Sequence, residues 1–178
     1  MGFRLFGRGS DRAPESNGHG TAVLERGDER AADEADHAPG GPSIVLTYDG
    51  WRVGHLVHPE RRVLDALSRP LLRLKTQGGL ETIDRDEVIL VVPPPLTDES
   101  PQRVAKQLIP VSVDIGVALL RGSIHVLPGA SPWEVWQRSS SGFVALTDAV
   151  LDFPDGTSET AGVVLVSRHA AHAGLKPV

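Results

Sequence analysis

The sequence predicts a mainly β fold (α+β) in which a disordered tail precedes two tandem β-sheet modules. Each module is expected to be barrel-like, with a hairpin, a short helix and two further strands. Residues 51–59 and 120–128 share one pattern, because Arg and Gly, one or two positions apart, lead into an apolar-rich strand that ends at proline. A short amphipathic segment follows each stretch and ends at Arg69 or at Arg138. Internal repetition of this kind predicts the architecture before any residue is given a role.

The first 42 residues are expected to lie outside any core. Between Arg8 and Pro42 the only sizeable apolar residues are Val23 and Leu24, so this segment buries too little surface to offset the entropy lost on ordering. The predicted organisation is a disordered tail over 1–42, a first β-rich module over 43–95, a linker over 96–107 and a second β-rich module over 108–178.

The first module begins with a predicted hairpin. Apolar runs over 44–48 and 51–57 flank Asp49-Gly50, a pair that favours a type I′ turn because both central residues of that turn need a positive φ. A short helix is predicted next, over 61–69, and stops before Pro70. The remaining predictions for this module are strands over 71–76, 80–83 and 88–92. The last strand is apolar throughout, which indicates burial on both faces.

The second module repeats this order. Ser131 is a candidate N-cap of a helix over 132–138, with Pro132 at the first helical position. The predicted strands of this module cover 108–114, 118–126, 143–152 and 162–168. A module of this size leaves an apolar face uncovered, so the two modules are expected to pack together or to share a core.

Composition excludes several classes of protein. The net charge is −5 at pH 7, and the tail, with 5 Arg against 8 Asp and Glu, accounts for −3 of it. The remainder is near neutral, without the basic excess of a general nucleic-acid binder. The absence of cysteine excludes disulfides, thiolate catalysis and cysteine-bound metals. No apolar run approaches the roughly 18 residues that cross a bilayer, and no secretory signal is recognisable, so a soluble cytoplasmic protein is expected.

Three stretches of the second module carry a family resemblance. Residues 121–128 read RGSIHVLP, residues 143–149 read FVALTDA, and residues 165–169 read LVSRH. Together they resemble a small β-rich bacterial domain of unknown function that is Sm-like in outline, and the first module resembles it more loosely. The resemblance implies a fold of two tandem copies and no established activity.

Six residues are candidates for a binding site. Arg52 and Arg121 each precede a glycine on a predicted strand, and they are interpreted as equivalent places in the two modules. Trp133 and Trp136 are three residues apart on the predicted helix, where they share a face and either anchor a partner or close the second module. The candidate binding residues are Arg52, Arg121, His125, Trp133, Trp136 and Arg138.

Residues 121–125 and 137–142 are similar to the two motifs of PilZ-type domains, R-x-x-x-R and D/N-x-S-x-x-G, which bind cyclic dinucleotides. His125 stands where the second arginine belongs, and Gln137 stands where Asp or Asn belongs. The similarity implies a cyclic-dinucleotide sensor with a degenerate motif.

Catalysis is not indicated. The sequence contains no Walker loop, dinucleotide fingerprint, His-Glu-x-x-His motif or G-x-S-x-G elbow, and residues 139–142 read as a serine loop. The pairs His55/His58 and His169/His172 have a spacing that suits zinc on a helix, but the first pair lies on a predicted strand, where such residues point to opposite faces. No enzyme activity, cofactor or metal is expected.

The sequence therefore favours a non-catalytic interaction or regulatory module with a protein partner. One alternative is an Sm-like binder of single-stranded RNA that uses Arg52, Arg121 and nearby aromatic residues. The other alternative is the cyclic-dinucleotide sensor. The basic and aromatic start, Phe3 to Arg8, is a candidate docking segment for a partner or an anionic membrane.

Overall fold

The computed structural model describes residues 41–57, 63–95, 106–171 and 174–178. The predicted tail therefore lies outside the described residues except for Gly41 and Pro42, as do the Phe3 to Arg8 segment and most of the predicted linker. Gln107, placed in the linker from sequence, is the first residue of a strand. All described residues belong to one compact unit, Ala38–Val178.

The described part of the chain is mainly β, as predicted. Its strands are β1 (Ser43–Thr47), β2 (Gly50–Leu56), β3 (Leu71–Thr76), β4 (Gly79–Asp84), β5 (Val88–Val92), β6 (Gln107–Asp114), β7 (Leu119–Val126), β8 (Phe143–Asp152), β9 (Ser158–Ser167) and β10 (Leu175–Pro177). The helices are α1 (Val63–Ala66) and α2 (Pro132–Arg138), and Arg85–Glu87 form a 3₁₀ turn.

The ten strands form one open antiparallel sheet in the order β10-β6-β7-β8-β9-β5-β1-β2-β3-β4. This order contains the same neighbour pattern twice. In the first run, β5-β1-β2-β3-β4, four consecutive strands lie side by side and the fifth pairs with the first. In the second run, β10-β6-β7-β8-β9, the same relation holds. The runs are joined where β5 pairs with β9, at Leu90 opposite Val166 and Val91 opposite Leu165.

Two apolar cores lie on the sheet, and strand β5 contributes to both. Val88 and Val91 belong to a core with β2, β3 and α1 residues, whereas Ile89 and Leu90 belong to a core formed mainly by the second run. Phe143 enters the first of these cores from β8. The prediction that residues 88–92 are buried on both faces is therefore confirmed, because the strand lies between two cores.

Local signals gave the start of α2 and most strands correctly, and four details differ. The helix expected over 61–69 ends at Ala66, because the N–H groups of Ser68 and Arg69 bond to carbonyls three residues earlier and form turns. The first hairpin closes at Thr47 opposite Gly50, so its central residues are Tyr48 and Asp49. Neither has a positive φ and only Gly50 does, which makes the type I′ prediction wrong. Strand β9 begins four residues earlier than predicted because its pairing with β8 extends to Ser158. Strand β10 was not predicted at all.

Candidate functional site

The sheet ends at two strand edges. The outer edge of β4, here called the β4 edge, closes the first run, and the outer edge of β10, the β10 edge, closes the second. No described residue pairs with either edge. Unpaired strand edges expose backbone donors and acceptors and are ready sites for strand addition.

Register defines which residues of the two runs are counterparts. His55 pairs with Lys75 in the first run, and Ser123 pairs with Thr147 in the second. Gly54 and Gly122, one residue earlier, are therefore counterparts. The correspondence between the two runs continues through the next hairpin, where Leu74 pairs with Glu81 and Leu146 pairs with Val164. Glu81 and Val164 hold the same place in the two runs.

Residues on the outer face of β3 and β4 are more exposed than their counterparts on β8 and β9. Phe143 and Leu165 are buried, at 3% and 5% exposure, in the core of the first run, where β5 pairs with β9. The corresponding positions in the first run are Leu71 and Thr82. Leu71, which lies opposite Asp84 at the start of β3, and Leu80, which lies opposite Lys75 and is the counterpart of Val163, are each 52% exposed. Apolar side chains near the β4 edge are thus exposed at positions whose counterparts in the second run are more buried.

The predicted equivalence of Arg52 and Arg121 is wrong. Because Gly54 and Gly122 are counterparts, Arg121 corresponds to Val53 and not to Arg52. Arg52 lies two residues before its glycine, on the same face of its strand, whereas Arg121 lies one residue before its glycine, on the opposite face. A shift of one residue on a strand reverses the face, so the two guanidinium groups do not form a repeated pair.

Both arginines are engaged by carboxylates. Arg52 Nε lies 3.4 Å from Glu81 Oε2, and Arg121 Nε lies 2.6 Å from Asp152 Oδ2. The hydrogen bond to Asp152 raises the pKa of Arg121. The same hydrogen bond, with a second from the Ser158 hydroxyl at 2.7 Å, lowers the pKa of Asp152. These contacts join β7, β8 and β9 on the exposed side of the sheet.

His125 lies on the same exposed face of β7 as Arg121, four residues along the strand. Its Nε2 is 3.0 Å from the Thr147 hydroxyl. Thr147 Oγ1 also donates to the Ser123 carbonyl at 3.3 Å. The polar face of β7 is thus tied to β8, next to Asp148, which has the unusual φ of 51°. The cyclic-dinucleotide interpretation of Arg121 and His125 stays a prediction.

The two helix tryptophans have different surroundings. Trp136 is 4% exposed and belongs to the core of the second run, whereas Trp133 is 46% exposed. A Cβ placed on Gly174 would lie 3.5 Å from Trp133 Cζ3, so the indole borders the start of β10. Arg138 is an exposed residue at the end of α2. The structure therefore places Trp136 in the core and leaves Trp133 and Arg138 at the surface.

The serine loop, residues 139–142, is held in place by hydrogen bonds to the backbone of Phe143. Ser139 and Ser141 both donate to the carbonyl of Phe143, and Ser141 is buried. Beside the loop, a cleft of about 100 Å³ is lined by residues that include Arg85, Arg168 and His169. Arg168 donates to the Gln137 carbonyl through Nη1, while its buried Nε has no partner among the described residues.

Other candidate features are limited to what the described residues show. In that part of the chain no group of three or more His, Asp or Glu is arranged to hold a metal ion. His58 and His172, one member of each HxxH pair, lie outside the described residues. None of the described helices has the length and apolar character to cross a membrane.

Comparison with protein-family models, with curated proteins and with solved structures found no match to this chain.

Sequence reasoning missed the residues that distinguish the two edges, namely Leu71, Leu80, Glu81 and Lys176. A signal existed for Leu71, because residues 71–76 align with residues 143–148, which sets Leu71 at the position of Phe143. At that position the first run has an exposed leucine, whereas the second run has a buried phenylalanine. Leu80 and Glu81 lie outside that alignment. No local signal marks Lys176, since the three residues of β10 show no periodicity.

Proposed function

We propose that this protein is a non-catalytic interaction module that binds a protein partner by strand addition at the β4 edge. The proposal includes a construction from two tandem copies of one small β-sheet module, joined through β5 and β9. Support for the duplication comes from the repeated strand order and from the matched register of Gly54 with Gly122 and of Leu74 with Leu146.

One observation carries the proposed function. At the junction, where β5 pairs with β9, Phe143 and Leu165 are buried in the core of the first run, but at the β4 end of the sheet Leu71 and Leu80 are each about half exposed. Within the molecule, the edge of β9 is already paired with a strand, β5. The corresponding edge of β4 has no strand paired with it among the described residues. A strand added to β4 together with its own core side chains, as β5 is joined to β9, would satisfy backbone groups of β4 and cover the two leucines. Fully burying a leucine side chain is worth about 1.5–3 kcal/mol, so covering the exposed half of each gives roughly 1 kcal/mol apiece.

The ion pairs of Arg52 and Arg121 favour this proposal over the RNA-binding alternative. A phosphate-binding arginine would have to exchange its carboxylate partner for the ligand. Arg52 is paired with Glu81, and Arg121 is paired with Asp152. The two arginines therefore do not form a basic surface that occurs in both runs.

Photo-crosslinking tests the proposed function directly. A photoreactive phenylalanine analogue at position 82 of the full-length chain should form crosslinks to a polypeptide in the native cell. The same group at the exposed turn position 48 serves as the control, because Tyr48 lies 63% exposed away from the β4 edge. The position 82 crosslink should be lost on Leu80→Asp but retained on Leu127→Asp, since Leu127 is equally exposed at 54% on another strand end. Equal crosslinking from both positions, or none from position 82, would contradict strand addition at this edge.

A further inference from the structure

We propose that the occupant of the β4 edge is the β10 edge of a second copy of this chain, so that copies associate head to tail. This inference rests on the proposed function and specifies its partner. The internal junction supplies the template, because β5 and β10 are counterparts, as are β4 and β9. Each copy therefore presents both halves of the contact that already joins its own two runs.

Register gives the residues that would meet. Val91 pairs with Val45 in the first run, and Leu175 pairs with Val113 in the second. Val45 and Val113 are counterparts, being opposite Arg52 and Leu120 in the two hairpins. Leu175 therefore corresponds to Val91. Since Val91 lies opposite Leu165 in the internal junction, Leu175 would lie opposite Thr82 of the second copy.

Strand β10 has only three residues, and the internal junction likewise pairs only two residues of β5 with β9. Val178 N donates to Pro110 O, so the alternation of the strand directs the nitrogen of Pro177 away from β6, toward the open edge. A proline there cannot donate to an added strand. Its counterpart is Pro93, which follows β5 directly. The internal junction pairs only Leu90 and Val91 with β9 before that proline, and the intermolecular junction would use the same short ladder.

A charge pair at the two open edges indicates a second copy as the occupant. Continuing the internal register by one residue brings Val92 opposite Val164, and both contribute to the core of the second run. The counterpart of Val92 is Lys176, and the counterpart of Val164 is Glu81. An apolar contact inside the molecule is thus replaced at the open edges by residues of opposite charge. Oppositely charged residues directly across a strand pair are stabilising, whereas like charges are destabilising.

Both charged residues are accessible for this contact. Lys176 is exposed, and the Glu81 side chain is 40% exposed although Arg52 and the Thr76 hydroxyl contact it. An apolar strand added to the β10 edge would leave Lys176 without a partner, while Glu81 of a second copy supplies one. Head-to-tail contacts use two different surfaces, so the assembly is a closed ring or an open filament, depending on the rotation between copies.

Charge exchange tests the inference. The mass of the full-length protein would be measured by light scattering after size exclusion, over a range of concentrations at low salt. We expect species larger than one chain for the unchanged protein. Lys176→Glu and Glu81→Lys should each weaken association about tenfold or more, which corresponds to roughly 1.4 kcal/mol. The double variant K176E/E81K should restore association, because the charges are again opposite.

Matched controls separate the junction from general charge effects. Lys106→Glu and Glu159→Lys make the same charge changes away from the β4 edge and should leave the mass unchanged. Thermal unfolding of every variant checks that the fold persists. A single-chain mass at all concentrations, or failure of the double variant to restore association, would overturn the head-to-tail inference.

The crosslink at position 82 then separates the two proposals. A crosslinked product between two copies that contains residues 174–178 supports both. A crosslink to a different protein, combined with a single-chain mass, overturns the inference about the second copy but leaves strand addition at the β4 edge intact.

Discussion

Gly54 and Gly122 lie at the same point of the two hairpins, each pressed against the backbone of the strand that follows. A Cβ on Gly54 would lie 2.5 Å from the carbonyl oxygen of Lys75, and a Cβ on Gly122 would lie 3.0 Å from the carbonyl oxygen of Thr147. Lys75 and Thr147 are themselves counterparts. The close approach of two strands that requires glycine is therefore present in both runs.

This close approach predicts a graded effect of alanine. Gly54→Ala should lower the free energy of unfolding by about 2–3 kcal/mol, and Gly122→Ala by about 1–2 kcal/mol, because overpacking against backbone forces strands apart. Gly162→Ala is the control, since nothing lies within 4 Å of the added Cβ, and its effect should stay within about 0.5 kcal/mol. Denaturant titration measures all three. Equal losses of unfolding free energy for Gly54→Ala and Gly162→Ala would show that β2 and β3 can move apart at little cost.

The two tryptophans of α2 should differ in their contributions to stability. Trp136→Ala should cost about 3–5 kcal/mol, because it opens a cavity in the core of the second run. Trp133→Ala should cost about 1 kcal/mol, because almost half of the side chain is already in solvent. Fluorescence provides a second readout, since Trp133 should be the more readily quenched by iodide. Similar costs for the two substitutions would contradict this division.

The contact between Arg121 and Asp152 predicts a pH effect of defined sign. The pKa of Asp152 is lowered in the folded protein by hydrogen bonds from Arg121 and Ser158, so the folded state favours the ionised carboxylate. This contribution to stability is present above the unfolded pKa of about 3.9 and is lost as pH falls through the folded pKa. Arg121→Met should therefore raise the Asp152 midpoint in an NMR titration toward the unfolded value. An unchanged midpoint would show that the contact does not persist in solution.

The start of α2 predicts a capping effect. Ser131 Oγ accepts a hydrogen bond from Trp133 N at 3.2 Å, with Pro132 at the first helical position. Ser131→Ala should cost about 1 kcal/mol in unfolding free energy, because one helix N–H then loses its partner. Ser140→Ala, an exposed position in the following loop, is the control and should be near neutral. A cost confined to position 140 would contradict the assigned helix start.

Much of the fold follows from local sequence. The apolar run 88–92, the strand 143–152 and the helix with its Ser131 cap each rest on residues close together in the chain, and the structure confirms their bounds. Local turn chemistry was less reliable. Asp49-Gly50 correctly predicted a hairpin, but the pairing of Thr47 with Gly50 moved the turn by one residue and changed its type.

The candidate site was predicted less well than the fold. Arg52 and Arg121 look equivalent in sequence because each stands near a glycine, yet the strands place them on opposite faces relative to that glycine. Similarly, Trp133 and Trp136 were expected to act together, but only Trp136 reaches the core. Spacing on a strand or helix defines a face, whereas the face that becomes buried depends on the neighbouring elements.

The sequence by itself determined the mainly β character and most strand positions, because these depend on turns, caps and alternation within about ten residues. Only the tertiary structure decided that β5 pairs with β9, that β10 exists, and that Leu71 and Leu80 remain exposed where Phe143 is covered. Those features depend on contacts between residues far apart in the chain. Such pairings are selected by the burial of two apolar faces together, and no single stretch of sequence contains both faces.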